Sequence, residues 1–518
     1  MRSRSAGGDF DVAVVGGGFA GMATAARLQV RGLRTIVLEA HGLVGGCAGY
    51  YRRRGFSFDV GATTLVDFDT GGVGGQLLEE IGLPPPPCEQ LPGYVAWLPD
   101  RRVVLHRDAA HWRQERLLSL GSTPRHRAFW RLLDQLAETF WTASREGVKL
   151  PMRSPADVVD ACRRIGLRRL PMARYLTWTV GDALRRHGLR KEVALVGLLS
   201  MLIEDTVHST VEQAPLLNAA LGVTIRGAGL SRPHGGMRGF WERFVAHYQH
   251  LGGDLRVGWR VERIEASGEG YLLRGRRGAI TAAQVVSALP VAQTAELAAD
   301  LVGRRLRRFL RRDAGHLGGA LVVCLGVPED EVTGQAFTHH QLLQSYRHPL
   351  GNGNNMFVSV SAPDDFASAP AGHRAVMIST HCELRDWEGL DPAAHEENRR
   401  RAGEQLLAFA RRVYPRLGDR SLVYEVGTPR TYEHYLQRPR GAVGGVRQSL
   451  ANANQNAVPH DLGPPGFWLS GDTTWPGLGT VACVLGSRIV AEGVLRRTRR
   501  GRVRHPSLSG LAMTREAV

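Results

Sequence analysis

The sequence contains almost no lysine, few cysteines and no long apolar run. Lysine occurs only at positions 149 and 191 among 66 basic residues, so arginine carries nearly all of the basic charge. The six cysteines are scattered and form no Cys-x-x-Cys pair, which argues against dithiol redox chemistry. No apolar run reaches the roughly 18–20 residues of a membrane-spanning helix, and the polar residues 1–9 do not resemble a signal peptide. We therefore expect a cytoplasmic protein with reduced cysteines.

Charge is the second compositional feature. The 518 residues leave room for two or three domains, and the formal net charge is +17. Arginines concentrate at residues 303–312 and 496–504. The first cluster predicts a helix whose apolar face consists of Val302, Leu306, Phe309 and Leu310. Such a helix suits an anionic membrane, so we expect peripheral association with the inner membrane face, with a solvated basic face as the alternative. Nucleic acid is not expected, because no nucleic-acid-binding signature accompanies the charge.

The N-terminal segment carries a dinucleotide-binding motif. The apolar strand Val12–Val15 leads into a glycine-rich turn and a helix over residues 19–31, and a second strand, Thr35–Leu38, ends at an acid. The glycines permit a tight turn and close approach of the backbone to a pyrophosphate, which the helix dipole attracts. The acid can hold the hydroxyls of an adenosine ribose. The predicted cofactor-binding residues here are Gly16, Gly17, Gly18, Phe19, Ala20, Gly21 and Glu39.

A second part of the predicted site lies near the C-terminus. Residues 466–472 predict an apolar strand that ends in a Gly-Asp turn, followed by a turn over 476–479 and a small-residue helix over 481–494. The pattern resembles flavoproteins of the glutathione-reductase superfamily, in which a late Gly-Asp contacts the ribityl and phosphate groups and the next helix faces the flavin ring. No second glycine fingerprint follows an apolar strand, so we predict FAD as the cofactor. The residues implied here are Gly471, Asp472, Leu478 and Gly479.

Further blocks lie between these two ends. They are Gly45–Gly49, Phe56–Ala62, Pro233–Met237, Gly252-Gly253, Val261–Ile264, Thr428–Tyr432 and Gly441–Gly445. In this order, and up to about Leu495, they resemble the phytoene desaturase-like flavoenzymes, which include carotenoid desaturases and isomerases. The short motifs around Phe56–Ala62 are most similar to the carotenoid 3,4-desaturase branch.

The resemblance implies roles for individual positions. Gly45 and Gly46 would approach the pyrophosphate, and Val261 would contact the adenine through its backbone. One position departs from the pattern: many flavoenzymes of this fold carry arginine after the second Gly-Gly, whereas this chain carries Cys47. A phosphate contact from that position is therefore in doubt.

The implied fold class is α/β, with a discontinuous Rossmann-like FAD-binding domain of the glutathione-reductase superfamily, a β-sheet substrate domain and a helical insertion. We assign residues 9–104, 231–300 and 455–495 to the FAD-binding domain and 105–230 to a helical insertion that faces substrate or membrane. Residues 301–454 form the predicted β-rich substrate domain, and 496–518 a basic flexible tail. The sequence leaves the oligomeric state open.

The implied function is FAD-dependent desaturation of an acyclic carotenoid, with or without a hydroxyl group. The alternatives are cis–trans isomerisation of a carotene by reduced flavin, amine oxidation, and non-enzymatic escort of an isoprenoid-carrying protein. A carboxylate could stabilise positive charge on a polyene that loses a hydride. Glu204 and Asp205, which end the apolar segment 193–203, are the candidate catalytic residues, and simple capping of a helix end is the alternative. We interpret the nearby His208 as a packing or surface residue, and we predict no metal site.

Overall fold

The computed structural model describes residues 9–268 and 270–504. Its strands are β1 (Phe10–Val15), β2 (Thr35–Leu38), β3 (Tyr50–Arg53), β4 (Phe56–Asp59), β5 (Leu65–Val66), β6 (Cys88–Gln90), β7 (Gly93–Trp97), β8 (Arg102–His106), β9 (Leu230–Pro233), β10 (Asp254–Arg256), β11 (Arg263–Ser267), β12 (Gly270–Gly275), β13 (Gly278–Ser287), β14 (Gly319–Pro328), β15 (His339–Leu343), β16 (Asn355–Val360), β17 (His373–Cys382), β18 (Val423–Gly427) and β19 (Phe467–Leu469). Its helices are α1 (Phe19–Val30), α2 (Val73–Ile81), α3 (Ala109–Leu120), α4 (Pro124–Arg145), α5 (Pro155–Ile165), α6 (Val180–Arg186), α7 (Val193–Val207), α8 (Leu216–Thr224), α9 (Met237–His250), α10 (Val291–Leu297), α11 (Arg304–Asp313), α12 (Pro392–Ala410), α13 (Pro429–Leu436) and α14 (Thr480–Arg504).

The first sheet has the strand order β10-β2-β1-β13-β12-β11, and β19 also pairs with β13. Strands β10, β2, β1, β13 and β19 are joined by parallel pairs, whereas β12 runs antiparallel to both β13 and β11. Successive residues of β1 point to opposite faces, so Val12 and Val14 pack with α1, α9 and α14 while Ala13 and Val15 pack with α11. A parallel sheet covered by helices on both faces is the doubly wound arrangement that binds nucleotides at the carboxyl ends of its strands.

The second sheet has the order β18-β14-β17-β16-β15-β7-β8. Val323 and Ile378 lie on the face that packs against α12, and Leu406 of that helix joins the same core. Val322 and Ser379, one residue along their strands, belong to the opposite face. The predicted boundary at residue 104 places β7 and most of β8 in the FAD-binding domain, but β7 pairs with β15 and both strands lie in this second sheet. That pairing joins segments more than 200 residues apart, so local sequence carried no sign of it.

Helices α3–α8 form a helical layer within the segment predicted for it. Their shared core includes Phe129, Trp130, Leu133 and Leu198. Helix α4 begins with the Thr123 cap and Pro124 in its first turn, a common helix start. Helix α7 is apolar on most of its surface because it is buried between this layer and the second sheet.

Two predictions about the basic segments need correction. The helix at residues 303–312 forms as α11, but Leu306 and Phe309 are buried against the first sheet, so its apolar face is not available to lipid. The tail predicted to be flexible from residue 496 is part of α14, which continues as far as Arg504. A hydrogen bond from Gln284 Nε2 to Thr498 Oγ1 at 3.0 Å ties this part of the helix to the first sheet. Residues 505–518 lie outside the described residues. Within the described chain, no helix is long and apolar enough to cross a bilayer.

Candidate active site

A cavity of about 750 Å³ lies where the first sheet, the second sheet and α7 meet. Its volume is in the range of pockets that hold cofactors and small molecules. The turn between β1 and α1 lines one end, and α7 and strands β14–β17 line the other. Every predicted cofactor-binding residue lines this cavity except Gly21, which lies within the first turn of α1.

The turn between β1 and α1 has the shape of a diphosphate cradle. Gly16 has a φ of +102°, which only glycine adopts readily, and its N–H donates to Leu38 O at 2.9 Å. A Cβ on Gly18 would meet nothing closer than Gly45 O at 3.9 Å, so this backbone faces open space. A Cβ on Gly21 would instead collide with Gly16 O, which explains the close packing of helix on strand. Because Gly18 offers no side-chain cap, the first-turn N–H groups of α1 are free to bind an anion.

Glu39 is fixed at the end of β2 beside this turn. Its carboxylate accepts hydrogen bonds from the N–H of Gly17 at 2.6 Å and of His41 at 2.7 Å. Burial raises the pKa of Glu39, and these two N–H groups act against the rise. Val261 also lines the cavity and is buried, and its backbone contact with adenine stays a prediction of the resemblance.

Gly45 and Gly46 bring a second backbone segment to the cradle. Their φ values are +119° and +55°, and the N–H of Gly45 donates to Gly17 O at 2.9 Å. A Cβ on Gly45 would lie 2.6 Å from the Cα of Gly49 and 2.8 Å from Trp241 Nε1, so no side chain fits there. The glycine-rich turn and this segment therefore present bare backbone from two sides.

The C-terminal part of the site is held by interactions that the sequence did not reveal. Asp472 pairs with Arg438, whose Nη2 lies 3.0 Å from Asp472 Oδ2. The turn that carries Leu478 and Gly479 is tied down by Gln448, whose Nε2 donates to Pro476 O at 3.2 Å. Gln448 is held in turn by the buried amide of the distant Asn218, whose Nδ2 donates to Gln448 Oε1, and Asn218 itself accepts a hydrogen bond from Asn454 Nδ2. No local pattern marked Arg438 or these amides, because each acts only through contacts between segments far apart in sequence.

Helix α7 places Asp205 in the cavity wall and Glu204 behind it. The helix continues to Val207, so these carboxylates do not cap its end as the alternative interpretation held. Asp205 is exposed to the cavity, and its Oδ2 accepts a hydrogen bond from Gln341 Nε2 at 3.0 Å. Burial deep in the protein raises the pKa of Asp205, and the buried Arg226 opposes the rise. Glu204 accepts from Asn355 Nδ2 at 2.5 Å.

Two histidines extend this polar cluster toward the flavin end. His208 is buried, lines the cavity, and adopts a φ of +51° as the residue that ends α7. Its ring lies edge-on to that of His381, with centroids 4.1 Å apart. Burial lowers the pKa of His208 far below its usual value, and His381 adds to that effect. Burial alone would also lower the pKa of His381, but Glu204, whose Oε1 lies 3.7 Å from His381 Nδ1, raises it.

The doubly wound sheet, the bare-backbone cradle and the acid fixed at the end of β2 define a protein that binds a dinucleotide. Residues 19–495 match the family described as flavin containing amine oxidoreductase, and the chain belongs to this family of FAD-dependent enzymes. The predictions of the fold class, of an FAD-dependent oxidoreductase and of FAD as cofactor are thereby confirmed. The open cradle around Gly18 and the carboxylate of Glu39 fit the diphosphate and ribose of FAD.

Curated relatives of known activity span most of the chain. It is 24% identical over 506 residues to prolycopene isomerase of Daucus carota, covering 94% of this chain and 80% of the relative. It is 23% identical to the lycopene-forming phytoene desaturase of Pantoea ananas, covering 93% and 98% respectively.

Solved structures support the fold alone, because their identities are low. An oxidoreductase from Methanosarcina mazei superposes with a TM-score of 0.61 at 16% identity over 93% of this chain and 99% of that one. A variant of putrescine oxidase gives a TM-score of 0.61 at 14% identity over 94% and 99%.

Proposed function

We propose that the protein desaturates an acyclic carotenoid that carries a hydroxyl group. The proposal is supported by the similarity along nearly the whole chain to a phytoene desaturase and a prolycopene isomerase. The observation that carries it is the composition of the cavity, which continues from the FAD-binding end to a mostly apolar wall with a polar place at Asp205 and its partner Gln341.

The apolar wall suits a polyene. Val322 and Phe357 line it from the second sheet, and Met201 lines it from α7. Such a channel orients a hydrocarbon by shape and excludes water, which is what the protein must supply when the cofactor carries the redox chemistry. FAD, when bound, accepts a hydride from carbon.

The polar side chains at Asp205 and Gln341 in the cavity wall support the proposal that the substrate carries a hydroxyl group. A pure hydrocarbon in the cavity would remove water from the Asp205 carboxylate without replacing its hydrogen bonds, and burying an unpaired polar group is costly. A substrate hydroxyl can donate to that carboxylate. Asp205 can also stabilise positive charge that develops along the conjugated chain. Glu204 acts as a positioning residue in this scheme, because it contacts Asn355 and His381 and does not line the cavity.

The second candidate is cis–trans isomerisation of a poly-cis carotene, which is supported by the similarity to prolycopene isomerases. Pigment mass separates the two reactions. Cells that make neurosporene, lycopene, their hydroxylated derivatives or poly-cis lycopene would be compared with and without the chain, using a Glu39→Arg variant as the flavin-deficient control. A product lighter by pairs of hydrogens from the hydroxylated pigment supports the proposal. An unchanged mass with an altered spectrum supports isomerisation, and no change in any pigment contradicts both.

We also propose that the protein contacts anionic membranes peripherally, since a long polyene must enter from a bilayer. The support is electrostatic only: Arg304, Arg307 and Arg308 are exposed on α11, whose apolar face is buried. Sedimentation with anionic and neutral vesicles at low and high salt tests this contact. Absence of binding to anionic vesicles at low salt contradicts it.

A further inference from the structure

The position that follows Gly45 and Gly46 supplies no positive charge to the FAD site. Cys47 stands there, and burial raises the pKa of its thiol, so the group is neutral at physiological pH. The cofactor nevertheless brings a diphosphate with negative charge into the cavity. The resemblance also implies that the cofactor lies near Asp472, a carboxylate that is only 15% exposed. This part of the site therefore needs a cation from another segment.

Arg438 is placed where that cation is needed. Its side chain is only 11% exposed and lines the cavity, and its charge acts to lower the pKa of the Cys47 thiol against the rise caused by burial. Its Nη2 lies 3.0 Å from Asp472 Oδ2, and its Nε donates to Ala442 O at 2.5 Å. Burial alone would lower the pKa of Arg438, but Asp472 raises it, so the guanidinium is always charged.

The backbone around Arg438 is shaped to point the residue inward. Gln437 and Arg440 adopt φ values of +55° and +61°, which are uncommon for residues other than glycine. Gly441 then packs directly on the backbone of Pro429. Strained conformations of this kind cost free energy and persist where the surroundings require them, often at binding sites.

Among the described residues that line the cavity, the arginines are Arg260 and Arg438. Arg260 is exposed and hydrogen-bonds Gln437, so solvent screens its charge. Arg438 is buried, and its interaction with an anion in the cavity is screened much less. We propose that Arg438 is the cation of the FAD site: it neutralises Asp472 and binds the diphosphate, in the place that Cys47 leaves without charge.

The test measures FAD binding and does not depend on the substrate. FAD is removed from the full chain, and the apoprotein is titrated with FAD by quenching of flavin fluorescence. Loss of one partner of a buried charge pair predicts that Arg438→Gln weakens binding at least about 30-fold. Arg438→Lys should weaken FAD binding less, because lysine keeps the positive charge although it lacks the planar guanidinium group that forms two parallel hydrogen bonds. The double variant Arg438→Gln with Cys47→Arg should recover part of the loss. Arg416→Gln, which removes a surface partner of Asp330 outside the cavity lining, is the control and should bind FAD as the wild type does.

A comparison with Asp472→Asn keeps the proposal falsifiable if Arg438→Gln misfolds. In the Asp472→Asn background the buried carboxylate is absent, so Arg438→Gln leaves no unpaired charge. If Arg438→Gln still weakens FAD binding in that background, the guanidinium acts on the cofactor itself. If it has no effect there, Arg438 serves only Asp472 and the proposal is wrong. Wild-type affinity in the single Arg438→Gln variant would also overturn it.

Discussion

Replacement of Asn218 by leucine tests whether distant buried amides hold the turn over residues 476–479 in place. We call this segment the flavin turn, because the FAD ring is predicted to lie against it. Asn218 of α8 is 6% exposed, and its Nδ2 donates to Gln448 Oε1 at 2.7 Å. Its Oδ1 accepts from Asn454 Nδ2 at 2.8 Å. Leucine has the same branched shape but is larger and apolar, and it leaves one buried acceptor and one buried donor unpaired. Each unpaired group costs about 1–3 kcal/mol, so Asn218→Leu should lower the free energy of unfolding by about 2–6 kcal/mol.

The same substitution should weaken FAD binding, because Gln448 is the residue that holds Pro476 at the start of the turn. Urea unfolding of the apoprotein measures the first effect, and titration with FAD measures the second. Gln114→Leu on the exposed face of α3 is the control and should stay within about 0.5 kcal/mol of the wild type. Combining Asn218→Leu with Gln448→Met removes both sides of the Asn218–Gln448 hydrogen bond, so no acceptor is left unpaired there. The double variant should therefore recover part of the lost stability.

The reasoning is refuted if Asn218→Leu is as stable as the control variant and binds FAD normally. Loss of stability with normal FAD affinity would show that the amides support the fold but do not position the turn. The double variant separates these effects further: recovered stability without recovered FAD affinity is expected if Gln448 acts directly on the turn.

Three further outcomes follow from the site. Glu39→Arg should lower the flavin content of the purified protein, because it removes the carboxylate bound to Gly17 and adds bulk; unchanged flavin absorbance per protein contradicts this. Asp205→Asn should raise the melting temperature of the apoprotein at neutral pH, since the folded-state pKa of Asp205 is raised and its ionised form is disfavoured by folding. That gain should vanish as the pH falls below the pKa of Asp205 in the unfolded chain, where the carboxyl is protonated in both states. A gain that does not depend on pH contradicts this prediction. His381→Gln should destabilise the protein below about pH 6 more than at alkaline pH, since Glu204 raises the pKa of His381 and the stabilisation is lost as pH rises through that value.

The nucleotide-binding end could be predicted from sequence because its geometry is local. The turn between β1 and α1 is set by Gly16 and Gly18 within a few residues, and Glu39 follows on the next strand. The glycines bear directly on the backbone conformation, and no distant residue is needed to place them. The same holds for Gly45 and Gly46, whose positive φ values exclude most side chains.

The substrate end and the supports of the flavin turn could not be predicted in this way. Arg438 and Asp472 lie on separate segments, and Asn218 reaches Gln448 across 230 positions of sequence. Such pairs depend on how the helical layer packs against the sheets. The helix at 303–312 shows the same limit. Its amphipathic pattern predicted the helix correctly, but the pattern does not tell whether the apolar face packs on the first sheet, as it does, or enters a lipid bilayer.

The most informative departure from pattern is the acidic end of α7. An apolar helix that ends in two acids suggests a helix terminus, yet α7 continues for a further turn to His208, which ends it at a φ of +51°. Asp205 therefore lies on the same face as Met201, one turn earlier, and that face lines the cavity. A carboxylate inside an otherwise buried helix lowers stability unless it serves another purpose. Functional sites are where local rules of sequence and structure are expected to fail together. We therefore propose that Asp205, whose ionised form is disfavoured by folding, is kept because it contacts a polar or positively charged group of the substrate.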